Sequence, residues 1–325
     1  MHAVRQHRQG GALAVESIPI PEPGPGEVLV KMQASPINPS DLAMIRGDTP
    51  GSCYPYTPGL EGSGFVVKAG RGLIPALRKG KRVACTPVPG KDGTWADYLV
   101  TSAMRCYPLP ADISTEQGSM TLVNPMTALA FIEIARKEKH RAMVNNAAAS
   151  ALGKMLVRLC DKYQIPLICI VRKGKHVNTL RQLGAEYVLD SSEDSFQEEL
   201  HRLSRELCTT LVLDAVTGEQ TSRLLDAVPP GSRLIAYARL SGENITVDPG
   251  SLILEDKQLS GFNLGNWLQS KSLFFKIRFL KRVGRMLSGT LASQIRRTMP
   301  LEKVEEAITL YTNNMSEGKI LLIPQ

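Results

Sequence analysis

The sequence predicts an α/β protein in two parts, a doubly wound parallel sheet and a smaller β-rich domain. Three observations carry that expectation. Short apolar runs broken by Gly and Pro fill the chain up to Val100, and strands and helices alternate closely from Ala142 onward. The length of 325 residues also exceeds what one hydrophobic core comfortably serves.

Taken in order, Val28–Gln33, Gly64–Lys68, Arg82–Thr86 and Ala96–Val100 read as strands. Pro19, Pro21, Pro23, Gly24, Pro25 and Gly26, then Gly59, Gly62 and Gly64, place turns between them, which suits an irregular, partly closed β-domain. The character changes near Ser114. Ser114-Thr115-Glu116-Gln117 has the form of a capping box, and a helical stretch follows from Gly118 to Ala135, with Pro125 expected to kink or interrupt it. Strands are then expected at 142–145, 167–171, 187–189, 211–213, 234–236 and 259–262. Helices are expected at 152–163, 177–183, 196–207 and 221–227. Strands separated by helices of this length imply parallel pairing with right-handed crossovers. A basic helical stretch follows, and Lys319–Ile323 reads as a closing strand.

Composition narrows the function classes. Hydrophobic content of 43% and charged content of 22% are ordinary for a globular protein. No apolar run approaches the ~18 residues of a membrane span, and basic Met1–Arg8 lacks the apolar stretch of a secretory signal, so the expected compartment is the cytoplasm. Cys53, Cys85, Cys106, Cys160, Cys169 and Cys208 are scattered with no Cys-x-x-Cys pair, which argues against a structural zinc and a disulfide framework. Part of the net charge of +8 is concentrated in Lys271, Lys276, Arg278, Lys281, Arg282, Arg285, Arg296 and Arg297, with no acidic residue among them. This stretch is either a solvated helix face or a patch for an anionic partner such as CoA phosphates or a phosphopantetheine carrier. Nucleic acid is disfavoured because no binding motif accompanies the charge.

The most informative segment is Ala142-Met143-Val144-Asn145-Asn146-Ala147-Ala148-Ala149-Ser150-Ala151-Leu152-Gly153, which leaves a strand and opens a helix. The three positions of a G-x-G-x-x-G fingerprint are Ala148, Ser150 and Gly153. Small residues still let the backbone approach a pyrophosphate, which the amide-rich helix start attracts. The next strand ends in Val171-Arg172-Lys173-Gly174-Lys175, with basic residues where an NAD enzyme carries an acid. Arg172 suits a 2′-phosphate, so the cofactor expected is NADPH rather than NADH.

Ile37-Asn38-Pro39-Ser40-Asp41-Leu42, Pro58-Gly59-Leu60-Glu61-Gly62-Ser63-Gly64, Val123-Asn124-Pro125-Met126-Thr127-Ala128, Leu183-Gly184-Ala185-Glu186-Tyr187-Val188 and Gly318-Lys319-Ile320-Leu321-Leu322 together resemble the signatures of medium-chain dehydrogenases/reductases. With Gly261-Phe262-Asn263-Leu264-Gly265-Asn266-Trp267 the sequence is most similar to the quinone oxidoreductase and trans-2-enoyl-thioester reductase branch. The resemblance implies a GroES-like substrate domain over residues 1–117, a Rossmann domain over 118–266, and a return segment, 267–325, completing the first. It implies Asn124 and Thr127 beside the nicotinamide, Ala149, Ser150, Ala151, Leu152 and Gly153 beneath the pyrophosphate, and Arg172 with Lys173 at the 2′-phosphate. Asn38, Tyr237, Phe262, Asn263, Leu264 and Lys319 complete the implied cofactor-facing set, and a homodimer is expected through the Rossmann sheet.

Zinc alcohol dehydrogenases of the same superfamily hold catalytic zinc with a Cys and a His-Glu pair. Here those positions fall in Asn38–Asp41 and Leu60-Glu61, so no metal is expected and alcohol oxidation is disfavoured. Reduction of an activated double bond (2-enoyl thioester, enone or quinone) needs no Lewis acid. The enoyl reductases carry a Tyr shortly after the residue matching Gly47, where this chain has Thr49. Tyr54 and Tyr56 are the candidate proton donors in its place. The second reading is an NADPH-binding protein with little catalysis that engages partners through the 271–297 stretch.

Overall fold

The computed structural model describes residues 1–47 and 53–324. The chain divides into two compact units, Met1–Pro125 with Lys281–Gln325, and Met126–Leu280.

The first unit opens with the antiparallel pair β1 (His2–Gln6) and β2 (Leu13–Ser17). The basic N-terminal residues therefore form a strand, with Ala3 and Val4 buried. There follow β3 (Glu27–Pro36), α1 (Pro39–Arg46), β4 (Gly62–Ala69), α2 (Leu73–Arg78), β5 (Arg82–Cys85), β6 (Tyr98–Ser102), β7 (Cys106–Pro108) and α3 (Thr115–Ser119). Along β3 the alternation breaks at both ends into consecutive buried residues, and over its first half β4 and β6 pair with it on its two edges.

Helix α4 (Asn124–Lys137) leads into the second unit: β8 (Ala142–Asn145), α5 (Ala151–Tyr163), β9 (Leu167–Val171), α6 (Val177–Gln182), β10 (Tyr187–Asp190), α7 (Phe196–Glu206), β11 (Thr209–Asp214), α8 (Glu219–Ala227), β12 (Arg233–Ala236), α9 (Pro249–Ile253), β13 (Gln258–Gly261) and α10 (Leu264–Gln269). Helix α11 (Leu273–Met286) carries the chain back to β14 (Ile295–Pro300), α12 (Val304–Asn313) and β15 (Lys319–Ile323) in the first unit.

The predicted doubly wound sheet is present as six parallel strands in the order β10-β9-β8-β11-β12-β13. Every residue of β8 and β9 is buried, the pattern of central strands covered on both faces. Helix α7 presents Phe196, Leu200 and Leu203 at helical spacing to Val144, Ile168 and Ile170 of the sheet. Each such side chain contributes about 1.5–3 kcal/mol on full burial. The β-rich part is a sheet ordered β14-β15-β3-β4-β5-β7, with β6 also pairing β3. Its C-terminal layer packs Met299, Val304, Tyr311, Ile320 and Leu322 around Ile37, Leu42 and Trp95.

Two local expectations are corrected and a third is met, since the helical stretch expected from Gly118 is interrupted at 120–123, immediately before α4 and its Pro125. Pro125 occupies the second residue of α4, where the absent N–H has no intrahelical acceptor to lose. Ser114 caps α3 by accepting from Gln117 N (3.2 Å), but the Gln117 side chain does not return to it. Gln117 Nε2 instead donates to Ser293 O (2.6 Å), and Ser293 N donates to Gln117 Oε1 (3.2 Å). Finally, the basic stretch is not one helical run, because Arg296 and Arg297 lie on β14. A parallel partner, β15, outweighs local helical pattern there.

Gly153 is fixed by packing. A Cβ at this position would stand 2.3 Å from Ala148 O and 2.6 Å from Ala148 C, so only glycine lets α5 start this close to the turn after β8. Gly153→Ala is expected to lower unfolding stability by about 1–3 kcal/mol in a urea titration, with the far-UV spectrum retained.

Candidate active site

The first unit buries a polar, charged cluster of four residues set by three elements. Asn38 precedes α1, Asp41 lies in its first turn, Glu61 directly precedes β4, and Lys319 opens β15. Their exposures are 0% for Asn38 and 1% for Asp41, Glu61 and Lys319. Lys319 Nζ donates to Asn38 Oδ1, to Ile37 O (3.0 Å) and to Tyr311 OH (3.4 Å). Asn38 Nδ2 donates to Glu61 Oε1 (3.1 Å). Leu122 N and Val123 N donate to Glu61 Oε2 at 2.7 and 3.0 Å, just before α4 begins. Asp41 ties the other side, with its Oδ2 accepting from Asn38 N (2.7 Å) and its Oδ1 from Leu60 N (2.9 Å).

Burial dominates the ionisation of this cluster. It raises the Asp41 carboxyl to about 7 against the lowering pull of the Asn38 and Leu60 amides and of Lys319. Glu61 is raised for the same reason, opposed first by Lys319. Lys319 is pushed down to about 8 by desolvation, with Glu61 and Asp41 resisting. One ammonium stands near two carboxyls, and burial favours the neutral form of each of the three groups.

Beside it, Tyr56 is 7% exposed and its hydroxyl has no hydrogen-bond partner. Burial, then Tyr54, then Asp41 raise its phenol to about 12, so it stays protonated at neutral pH. Tyr54 meets it edge-on at 5.4 Å between ring centroids. Thr49, where the resemblance implies a Tyr, lies outside the described residues.

In the second unit the chain winds outward from β8 through β9 to β10, then returns to β11 on the other side of β8. The switch point therefore falls between β8 and β11, where doubly wound sheets bind ligands at their carboxyl ends. A buried network fixes that end. Asp214, the last residue of β11, accepts at Oδ1 from Asn146 Nδ2 (2.6 Å), Val216 N (2.9 Å) and Thr217 N (2.9 Å), and at Oδ2 from Thr221 Oγ1 (2.6 Å). Asn146 Oδ1 accepts from Ala215 N (2.7 Å). Tyr237 OH donates to Asn145 Oδ1 (3.1 Å), and Asn145 Nδ2 is buried without a partner.

The predicted cofactor residues divide by element. Ala149 precedes α5, Ser150 caps it by accepting from Gly153 N (3.1 Å), and Ala151, Leu152 and Gly153 form its first turn. Arg172 and Lys173 follow β9 and are exposed. Asn124 begins α4 and Thr127, 8% exposed, lies one turn in. The Phe131 ring contacts Tyr237 and Phe262 at 5.1 and 4.8 Å, gathering two predicted residues into one aromatic group. Asn263 spends its side chain capping α10 by accepting from Asn266 N (3.0 Å), directly before Leu264. Asn38 and Lys319 are joined directly. Sequence reasoning missed the Asn145, Asn146 and Asp214 network. The available signal was a pair of polar Asn residues at the end of an otherwise apolar strand, with an Asp ending the later apolar run of β11.

An α/β chain with a doubly wound parallel sheet, a glycine-tight helix start after its first strand and a separate β-rich unit defines a dinucleotide-dependent enzyme class. The family model for the alcohol dehydrogenase GroES-like domain matches residues 24–111, and that for zinc-binding dehydrogenase matches residues 151–278. A mitochondrial enoyl-[acyl-carrier-protein] reductase of Dictyostelium discoideum is 30% identical over 75% of this chain and 71% of its own. The Xenopus tropicalis protein of the same name is 28% identical over 96% and 91%. A Mesorhizobium loti structure assigned to the NADPH:quinone reductases is 31% identical, covers 96% of this chain and 91% of its own, and superimposes with a TM-score of 0.86. The chain belongs to the medium-chain dehydrogenase/reductase family, as an oxidoreductase with a nicotinamide cofactor. Among the described residues no helix is long and apolar enough to cross a membrane.

The buried cluster gives stability a defined pH dependence. Between the ordinary carboxyl value of 3.8 and about 7 the folded chain holds the Asp41 proton that the unfolded chain has released, so stability falls as pH rises through that window. Between about 8 and 10.5 the unfolded chain keeps the Lys319 proton that the folded chain has lost, so stability climbs again. Unfolding free energy from urea titrations is expected to pass through a minimum between these limbs. Asp41→Asn is expected to make the acid limb shallower, leaving the part that the raised Glu61 carboxyl contributes.

Proposed function

We propose that this chain is a zinc-independent, NADPH-dependent reductase of activated carbon–carbon double bonds, acting on 2-enoyl thioesters, enones or quinones. The observation that carries this reading is the commitment of Glu61. Its two carboxylate oxygens accept from Asn38 Nδ2 and from the Leu122 and Val123 amides, so the acid beside the zinc position is spent on protein groups. Asn38 and Leu60 supply neither thiolate nor imidazole at the positions where zinc-dependent relatives carry Cys and His.

The residues present fit a nicotinamide dinucleotide. Small side chains at Ala149 and Ala151 leave the start of α5 approachable, and its free amides favour a diphosphate. Asn145 Nδ2 is a buried donor awaiting an acceptor at the same end of the sheet. Arg172 and Lys173 offer charge to a 2′-phosphate. Asn124, Thr127, Tyr237, Phe262, Asn263, Leu264, Asn38 and Lys319 complete the proposed cofactor set. When bound, NADPH supplies the hydride. The chain's own part is to orient the double bond, stabilise the developing enolate with hydrogen-bond donors, and deliver a proton. Tyr56 is the proposed donor, because its phenol is protonated, buried and unpartnered. Tyr54 orients its ring.

The thioester class is favoured by helix α11. Phe279 and Val283 are buried on one side of it, while Phe274, Ile277, Arg278, Lys281 and Arg285 share the exposed side with no acidic residue on the helix. Cations around an apolar centre suit the phosphate of a CoA or of a phosphopantetheine carrier. A homodimer through the free edge of β13, flanked by exposed Ile253 (76%) and Leu254 (85%), fits the cytoplasmic enzyme proposed here. A monomer mass in sedimentation equilibrium excludes that dimer.

Stopped-flow absorbance is expected to show NADPH loss with a crotonyl thioester, and no turnover with thioester, enone or quinone refutes the reading. Tyr56→Phe is expected to lower kcat about a hundredfold. Arg172→Ala is expected to raise KM for NADPH about tenfold while leaving NADH unchanged, the signature of one lost charge-assisted bond to phosphate. Charge reversal at Lys281 and Arg285 is expected to raise KM for a crotonyl carrier protein while sparing a crotonyl thioester truncated at the pantetheine. Equal effects on the two substrates exclude the helix as a carrier surface.

A further inference from the structure

We propose that Glu61 is a positioning residue whose carboxylate sets the direction of a hydrogen-bond chain from Lys319 through Asn38 to the amides that open α4, and so holds Asn38, Lys319 and Asn124 in register for the cofactor. The functional half of this inference rests on the reductase reading above.

The direction of the chain follows from donor and acceptor chemistry. An ammonium only donates and a carboxylate only accepts, whereas a primary amide does both through opposite ends. Asn38 lies between Lys319 and Glu61, so one orientation satisfies both neighbours: Oδ1 toward Nζ of Lys319 and Nδ2 toward Oε1 of Glu61. With the group fully buried, the reverse orientation would set donor against donor at one end and acceptor against acceptor at the other.

Glu61 closes the chain at its far end. Leu122 and Val123 lie in the turn between α3 and α4, immediately before Asn124, and their amides both end on Glu61 Oε2. The start of a helix leaves amides without intrahelical acceptors, and a negative charge there also opposes the helix dipole favourably. The backbone of Glu61 is itself held. Thr94 Oγ1 donates to Glu61 O (2.8 Å), and the amide of neighbouring Leu60 is taken by Asp41. A carboxylate fixed at both backbone and side chain therefore links the entry to α1 and the entry to α4 directly, and β15 through Asn38.

Glu61→Gln tests the proposal because it preserves shape and removes the acceptor-only character. The new glutamine can satisfy Leu122 and Val123 with its oxygen, but its amino group then faces Asn38 Nδ2. Rotating Asn38 to accept from it turns a donor toward Lys319. In the double variant Glu61→Gln/Lys319→Gln a second glutamine can accept where the ammonium could not, so the chain can run in reverse.

Fluorescence titration is expected to show NADPH binding weakened about tenfold in Glu61→Gln, the scale of one hydrogen bond to a charged group. Each single variant is expected to lower Tm, and the double variant to melt above the sum of the two losses. A purely structural acid predicts additive losses in that cycle. NADPH affinity within about twofold of wild type overturns the positioning role, and additive melting shifts overturn the directed chain. A wild-type chain that binds no nicotinamide nucleotide refutes the reductase reading and with it the positioning role. The melting cycle still reads the directed chain without any cofactor.

Discussion

The first unit depends on one buried ion cluster. Lys319, Glu61 and Asp41 come from distant parts of the sequence, and none of them tolerates burial alone, since a lone charge in this interior costs several kcal/mol. Their mutual satisfaction requires β15 to lie beside β3, the entry to α1 to pass under it, and the turn before α4 to reach Glu61. The two segments of this unit, far apart in sequence, are thus locked by a polar constraint in addition to the apolar layer around Ile320 and Leu322.

The second unit uses a carboxylate differently. Asp214 accepts four hydrogen bonds at the switch point, and its partners are the loop after β11, the start of α8 and Asn146 at the end of β8. This organises the loops at the end of the sheet that receives ligands while apolar helices cover its faces. Gly153 contributes by absence of volume, because its missing Cβ is what allows α5 to begin against Ala148. Rigid polar anchoring below and small side chains above give a surface on which backbone amides remain free to bind.

The Asn38 amide in the ion cluster is spent between an ammonium and a carboxylate. The buried cation of the cluster is an ammonium, which orders its surroundings by donation.

The fold class was legible because both periodicities are local: β8, β9 and β15 appear in the sequence with the bounds they have in the structure, since strands buried on both faces are continuous apolar runs. The helix start, expected at Leu152 and found one residue earlier at Ala151, and the need for glycine at 153 were equally local, being matters of turn geometry and side-chain volume. β1 and β14 were not visible, because each takes its strand character from a partner rather than from its own pattern. Pro125 could be located but not interpreted until the break before α4 showed it inside a first turn. The motifs singled out Asn38, Glu61 and Lys319 one by one, yet their union over more than two hundred and fifty residues of chain was decided only by tertiary structure. Local sequence encodes backbone preference and surface periodicity, whereas the pairing of buried charges is set by which distant segments the folded chain brings within hydrogen-bond reach.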